Sequence, residues 1–208
     1  LQQTDLPRPA WLLEKAYLLV EQGRYEDAAP LFRELTAVAE TSGPAWSALH
    51  RIAEVRNDTE LWRESVAGLK QSTNHVPGLL ILVKDALAMN DTASANLYLS
   101  QARRLQPGHP EVLSQGILLD SRMGEYASLW AKARTLLNLD PMSAIGNYVV
   151  AERYLEEDRI DMAEAAMRRA LSRGPFPDGL NGLAWILFLQ GRYAEGLTLA
   201  QQAVASRN

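Results

Sequence analysis

A residue type that ends helices recurs along the chain at almost constant spacing, and this limits the fold more than any other feature. The tripeptide Gly-Arg-Tyr occurs near both ends of the chain. Aligning the repeats on it gives six equivalent positions separated by 33 or 34 residues. Each position holds Gly, Asn or Asp, the residue types that most readily adopt the left-handed backbone found just after a helix. A helix is therefore predicted to end at each one. The six positions are Gly23, Asn57, Asn90, Gly124, Asp158 and Gly191.

Apolar residues on both sides of each turn follow the period of an amphipathic helix. Before the third turn, Leu82 and Ala86 are four residues apart; after it, Ala95, Leu99 and Ala102 follow at steps of four and three. These steps place the side chains on one face of a helix. Each repeat is thus predicted to be a helix–turn–helix hairpin. Because one hairpin cannot bury its own apolar face, neighbouring hairpins are predicted to stack.

Prolines mark where the second helix of several hairpins ends. Pro107, Pro141 and Pro175 each lie 17 residues after a turn position. Proline lacks a backbone N–H and clashes with the preceding turn, so it cannot continue a helix interior. Of the ten prolines, only Pro30 is predicted to lie inside a helix. The prolines therefore support the same repeat boundaries as the turns.

These features together resemble the tetratricopeptide repeat (TPR) family. The resemblance is carried by the Gly-x-Tyr-x-x-Ala turn that starts at Gly23, by small helix residues and by the closing prolines, and it extends from about Ala10 to Arg207. It implies an all-α fold, a right-handed α-solenoid of six stacked antiparallel helix hairpins. Residues 1–9 are expected to be a linker and residues 10–208 a single array. The expected repeats are approximately 9–42, 43–75, 76–109, 110–143, 144–176 and 177–208.

Two repeats depart from the family pattern. Repeat two has His50 and Trp62, and repeat four has Ile117 and Leu129, at places where the family prefers small residues. Wider or rotated helix pairs are expected there. A Sel1-like array is the alternative repeat type, but its repeats run a few residues longer than the spacing of 33–34 found here.

The composition excludes several classes of function. Without cysteine there is no disulfide, thiolate zinc site or cysteine nucleophile. The net charge of −4 gives no overall basic field for nucleic acid or anionic lipid, and the basic residues are not clustered. No apolar run reaches the roughly 18–20 residues of a membrane helix, so direct membrane insertion is not expected. No signal-peptide pattern is present, and the compartment, cytoplasm or periplasm, stays open.

No residue pattern points to catalysis or to a bound metal. His50, His75 and His109 lack a second ligand at paired spacing, and a metal site needs three or four converging ligands. His50 is expected in the core and the other two in solvated loops. The acidic run 156–158 lacks the alternating ligands and turn glycine of a calcium loop, so a solvated helix end is expected. We therefore expect no enzyme activity, no cofactor and no metal.

The resemblance also implies where a partner binds, because in this family the first helix of each hairpin lines the concave face and carries the ligand contacts. The transferred register gives a groove that is mildly basic in its first half and aromatic in its last third. A bound peptide is hypothesised to place apolar anchors near Trp185 and an acidic group near Arg122. The alternative is that Trp185 and Phe188 pack against a neighbouring repeat. The candidate residues are Tyr17, Arg51, Lys84, Leu118, Arg122, Tyr148, Glu152 and Trp185.

The leading hypothesis is a protein–protein interaction scaffold that binds a peptide or partner protein in the concave groove, within a larger assembly of the bacterial envelope. The alternative is a substrate-docking or regulatory lobe of a larger enzyme whose catalytic domain lies outside this chain. RNA binding needs a basic concave face, and Arg51, Lys84 and Arg122 are too few for it. No polar capping helix follows the last expected helix, Ala194 to Ser206, so the expectation is either that more protein follows in the full-length chain or that this end self-associates.

Overall fold

The computed structural model describes residues 8–206, which form twelve α-helices and contain no strand. Consecutive helices pair as hairpins, and one of the six predicted turn positions lies between the two helices of each hairpin. The helices are α1 (Arg8–Glu21), α2 (Tyr25–Leu35), α3 (Ala39–Arg56), α4 (Thr59–Leu69), α5 (Val76–Ala88), α6 (Thr92–Leu105), α7 (Pro110–Met123), α8 (Tyr126–Leu139), α9 (Ala144–Glu156), α10 (Ile160–Ala170), α11 (Pro177–Leu189) and α12 (Tyr193–Ala205).

All six predicted turn positions have the left-handed backbone, with φ angles between 52° and 77°. The residue after each one donates its backbone N–H to the carbonyl oxygen five residues earlier, at 2.8–2.9 Å. At the second turn, for example, the Asp58 N–H reaches the Ala53 oxygen at 2.9 Å. This bond satisfies a carbonyl group that a helix end otherwise leaves unpaired. The prediction that a helix ends at each of these positions is confirmed.

Short polar side chains cap the start of two of the second helices, α4 and α6. The Asp58 carboxylate accepts the Leu61 N–H at 2.9 Å, and the Asp91 carboxylate accepts the Ser94 N–H at 3.0 Å. Such caps satisfy backbone donors that the first turn of a helix cannot pair internally. In these two hairpins, the left-handed turn and the cap that follows it therefore define both the end of one helix and the start of the next.

The closing prolines agree with the predicted boundaries, whereas other prolines lie within helices. The three closing prolines lie just after α6, α8 and α10, as predicted. Pro44, however, lies inside α3, and further prolines lie in the first turns of α1, α5, α7 and α11, so the prediction that Pro30 alone is helical is wrong. Pro44 departs furthest from the prediction. The reason is that α3 begins at Ala39, ahead of the expected repeat boundary at 42/43. The Thr41 hydroxyl supports this early start by donating to the Leu35 carbonyl oxygen at 2.8 Å.

The contacts divide the chain into two compact units, residues 1–107 and residues 108–208, with three described hairpins in each. In the first unit, α1 to α4 enclose a core in which Ala16, Ala28 and Phe32 have no exposed surface. The alanines let the paired helices approach closely, and the aromatic ring fills the space between hairpins. This division between small and large residues is what the repeat pattern predicts.

The second unit has a core of the same kind. Ala151 of α9 and Ala163 of α10 are fully buried where those helices meet, and Met167 fills the space beside them. Ile117 of α7 and Leu129 of α8 replace the usual small residues and form a cluster of their own with α9. The departures seen in the sequence thus remain compatible with hairpin packing.

The all-α class and the arrangement of six helix hairpins are confirmed. The single array over residues 10–208 stays a prediction. The first helix starts at Arg8, within the segment expected to be a linker, and residues 1–7 lie outside the described part of the chain. Between residues 8 and 206, no helix combines the length and the apolar character needed to cross a bilayer.

Gly68 in α4 provides a test of this packing, because a methyl group there would overlap the Trp46 indole of α3. We expect Gly68→Ala to lower the free energy of unfolding by about 1–2 kcal/mol, since the cost of moving the ring exceeds the better helix propensity of alanine. Gly108→Ala is the control, because a methyl group there meets no atom within 4 Å. Urea unfolding followed by circular dichroism measures both variants. An unchanged Gly68→Ala midpoint would contradict the packing described.

Candidate partner-binding site

A concave space on the second unit contains three of the predicted site residues. The cavity measures about 810 Å³ and is lined by α7, α8, α9 and the start of α11. Leu118 of α7 borders it together with Tyr148 and Glu152 of α9. Trp130 and Phe176, which the sequence analysis did not select, complete its apolar wall. Three residues that the repeat register selected therefore border the same cavity, together with residues that it did not select.

A second cavity of about 390 Å³ adjoins the first between α9 and α11. It shares Tyr148 and Glu152 with the first cavity and adds Trp185 of α11. Asp178, in the first turn of α11, borders both. We call Leu118, Tyr148, Glu152, Asp178 and Trp185 together the α9 surface. The structure thus brings four of the predicted residues of this unit onto one face.

Close packing of the helices holds the Tyr148 ring in place. Gly182 of α11 faces α10 so closely that a Cβ atom would lie 2.6 Å from the Met167 methyl carbon and 3.8 Å from the Tyr148 ring. Tyr148 also packs edge-on against Phe176, with ring centroids 6.0 Å apart. Because these neighbours restrain the ring, it borders both cavities with little freedom to move.

Negative charge dominates the α9 surface. Glu152, Glu156 and Asp178 all border the cavities, while Arg153 is engaged in an ion pair with Glu156 at 3.0 Å. Burial raises the pKa of Tyr148 to about 12, and the Glu152 and Asp178 carboxylates add to the shift. Burial also raises the pKa of Glu152, and the Glu156 carboxylate raises it further. Crowded carboxylates in a partly dry space favour the arrival of a cation.

Arg122 and Phe188, which the sequence analysis also considered in this region, do not border the two cavities. Arg122 lies exposed in the last turn of α7 and is not among the residues that border the two cavities. Phe188 is 52% exposed and stacks on Trp185, with ring centroids 5.5 Å apart. Among the described residues, neither aromatic ring is covered by a neighbouring repeat. The alternative in which Trp185 and Phe188 are buried between repeats is therefore not observed.

The three predicted residues of the first unit border a separate cavity of about 800 Å³. Tyr17, Arg51 and Lys84 reach it from α1, α3 and α5. Tyr17 is half-buried: its hydroxyl donates to the Pro44 carbonyl oxygen at 3.4 Å, and its ring meets Phe32 edge-on at 5.3 Å. Internal contacts thus account for much of its surface, whereas Arg51 and Lys84 are exposed.

Two histidines border this first-unit cavity. His50 is buried as expected, with its Nδ1 3.2 Å from the Ser65 hydroxyl. The expectation that His75 is solvated is wrong, because its Nδ1 accepts the Gly78 N–H at 3.2 Å and lies 3.2 Å from the Ser47 hydroxyl. His75 therefore caps α5. No group of three or more potential metal ligands occurs within residues 8–206.

Stacked helix hairpins with this register define an α-solenoid protein. The tetratricopeptide repeat family model matches residues 8–60 and 148–208, which together are more than half of the chain. The chain therefore belongs to the tetratricopeptide repeat family. A comparison with curated protein sequences finds no match.

Several solved structures share the fold. The chain is similar to pilF of Pseudomonas aeruginosa, with a TM-score of 0.70 and 15% identity, covering 93% of this chain and 89% of that one. For PilW, a type IV pilus biogenesis factor, the TM-score is 0.66 with 14% identity over 96% and 94% of the two chains. A TPR protein from Parabacteroides merdae gives 0.65 with 16% identity over 95% and 79%. At these identities the likeness concerns the fold alone.

The His75 cap predicts a specific pH dependence of stability. Burial lowers the pKa of His75 in the folded state below its usual value of about 6.5, so protonation favours the unfolded state. The contribution of neutral His75 to the free energy of unfolding is complete above about pH 6.5 and is lost as the pH falls below that value. His75→Asn keeps an acceptor for the Gly78 N–H but removes the ionisable ring. We expect this variant to lose less stability than wild type between about pH 7.5 and pH 5.5. Urea unfolding at both pH values measures the loss, and equal losses would exclude this role.

Proposed function

We propose that this chain is a scaffold that binds a partner protein, and that the α9 surface holds an extended segment of that partner. The observation that carries the proposal is the combination of two adjoining cavities, restrained aromatic rings and three carboxylates on one face. Protein-binding sites are enriched in Tyr and Trp, and both occur here in an accessible position. Membership of the tetratricopeptide repeat family supports the same role.

The chemistry of the α9 surface selects a cationic side chain. Lysine or arginine would lie against the Tyr148 and Trp185 rings, whose faces attract cations. Glu152 and Asp178 would supply the opposite charge, and an arginine could bind a carboxylate through two parallel hydrogen bonds. An aliphatic or aromatic neighbour in the same segment would fill the apolar wall at Leu118. The recognised sequence is thus a basic residue beside an apolar one.

This proposal revises the hypothesis that an acidic group of the partner binds near Arg122. The carboxylates line the cavities and Arg122 does not, so an acidic partner group would meet repulsion before it reached the aromatic rings. The apolar anchors expected near Trp185 are retained. The setting we propose is a larger assembly of the bacterial envelope; PilW, which shares the fold, is a type IV pilus biogenesis factor.

Peptide selection followed by affinity measurement tests the proposed chemistry. Short peptides displayed on phage are selected on the wild-type protein, and we expect Lys or Arg next to an apolar residue to be enriched. For one selected peptide, fluorescence anisotropy is then measured with wild type and with Glu152→Gln. We expect about tenfold weaker binding to the variant, equivalent to about 1.4 kcal/mol, because a charge-assisted contact is lost.

Glu60→Gln is the matched control, because it removes one exposed carboxylate from α4 of the first unit. Its affinity for the selected peptide is expected to equal that of wild type. Binding should also weaken as the pH falls, since the raised pKa of Glu152 makes it lose its charge earlier than an ordinary carboxyl. Selection of acidic peptides, or equal affinities for wild type and Glu152→Gln, would show that the α9 surface does not bind cations.

Glu152→Gln should weaken peptide binding but make the folded state more stable. Burial and the neighbouring Glu156 both disfavour the charged form of Glu152, so the folded state at neutral pH keeps a carboxylate that opposes folding. We expect Glu152→Gln to raise the melting temperature while it weakens peptide binding. Functional residues often show this exchange of stability for activity. A lower melting temperature would indicate that Glu152 has a structural role instead.

A further inference from the structure

The end of the second unit carries an apolar groove between α11 and α12. It measures about 600 Å³, and none of the eight residues that line it is charged. Trp185 and Phe188 stack along one side, and Tyr193 packs edge-on against Phe188 at 5.2 Å. Leu197 and Val204 of α12 are 62% and 67% exposed. Exposed apolar surface of this kind on a folded protein marks an interaction site.

The preceding hairpin shows how such a groove is used in this fold. The turn positions Asp158 and Gly191 place Met167 of α10 at the position equivalent to Ala200 of α12. Met167 is fully buried, because α11 packs onto the groove between α9 and α10 and covers it with residues such as Ile186. The groove between α11 and α12 has the same location on its hairpin. Its geometry is therefore that of a surface built to receive another helix.

The pattern of apolar residues on α12 favours a partner helix whose contact face is also apolar. Tyr193, Leu197, Ala200 and Val204 follow one another at steps of four, three and four residues, which forms a continuous apolar seam along the helix. The equivalent of Leu197 in the preceding hairpin is the charged residue Glu164, so the seam on α12 is more apolar than its counterpart. The small side chain of Ala200 lies within the seam and permits close approach of a second helix.

We propose that this groove is covered by the same groove of a second copy of the chain, related by a two-fold axis. Such an interface must be compatible with itself, and an uncharged apolar seam meets an identical one without repulsion, whereas the acidic α9 surface could not. A head-to-tail contact is less suitable, because the outer side of α1 carries Lys15, positioned over the Trp11 ring, beside the exposed Leu18. This interface shares Trp185 with the α9 surface, but Leu197 and Val204 lie outside that surface, so substitutions of these two residues test the dimer without altering the peptide site.

Sedimentation velocity of the full chain over a wide concentration range tests the proposal. We expect reversible association that stops at the dimer. Leu197→Glu places two charges in a two-fold interface, so its dimer dissociation constant should rise by more than about tenfold. Val55→Glu is the matched control, because Val55 of α3 is also 62% exposed but lies in the first unit. The dimer dissociation constant of this control variant should equal that of wild type. Circular dichroism checks that each variant keeps the helicity of wild type.

Leu18→Glu distinguishes the two-fold contact from a head-to-tail one. Leu18 lies on α1 and is 55% exposed, so its replacement should leave a two-fold dimer intact. Val204→Glu, a second substitution in the seam, should reproduce the effect of Leu197→Glu. The proposal is overturned if wild type stays monomeric at all concentrations, if association continues beyond the dimer, or if Leu18→Glu disrupts the dimer as strongly as Leu197→Glu.

Discussion

The hydrogen bond that ends each first helix is the interaction on which the rest of this structure depends. In all six hairpins, the residue after a left-handed turn donates its N–H to the carbonyl oxygen five residues earlier. The bond stops the helix at a defined residue, and the constant spacing repeats that stop along the chain. Small residues such as Ala28 and Ala163 consequently meet the neighbouring helix at equivalent places. Without this shared register, the apolar faces of adjacent hairpins would not match.

The same register also defines which positions of each first helix are exposed and which pack against neighbouring helices. The residue six positions before each turn lies on the same side of every first helix, and all of these residues except Tyr17 are exposed. We therefore propose that these exposed positions can vary in recognition without disturbing the packing. In this chain that position holds Tyr, Arg and Lys in the first unit and Leu, Glu and Trp in the second. The residues at this position are Tyr17, Arg51, Lys84, Leu118, Glu152 and Trp185. The proposed preference for a basic segment follows from the last part of this series.

The sequence predicted the helix ends and much of the candidate site, but not its charge. The repeat register selected Tyr148, Glu152 and Trp185, and these residues do share one face. It missed Asp178 and Phe176, because they lie at the start of α11 and reach the cavity from a neighbouring hairpin. A register derived from one helix cannot show which residues of other elements border the same space.

The sequence by itself determined the hairpins, because a left-handed backbone preference and an apolar period of three to four residues act between chain neighbours. Only the tertiary structure decided which side chains are buried, which form hydrogen bonds or ion pairs, and which border a cavity. Tyr17, predicted to contact a partner, is largely engaged by Phe32. The pKa of Tyr148 is raised by burial and by carboxylates that include the distant Asp178. Burial and electrostatic interactions depend on distance through space, and folding brings together residues that the sequence keeps apart.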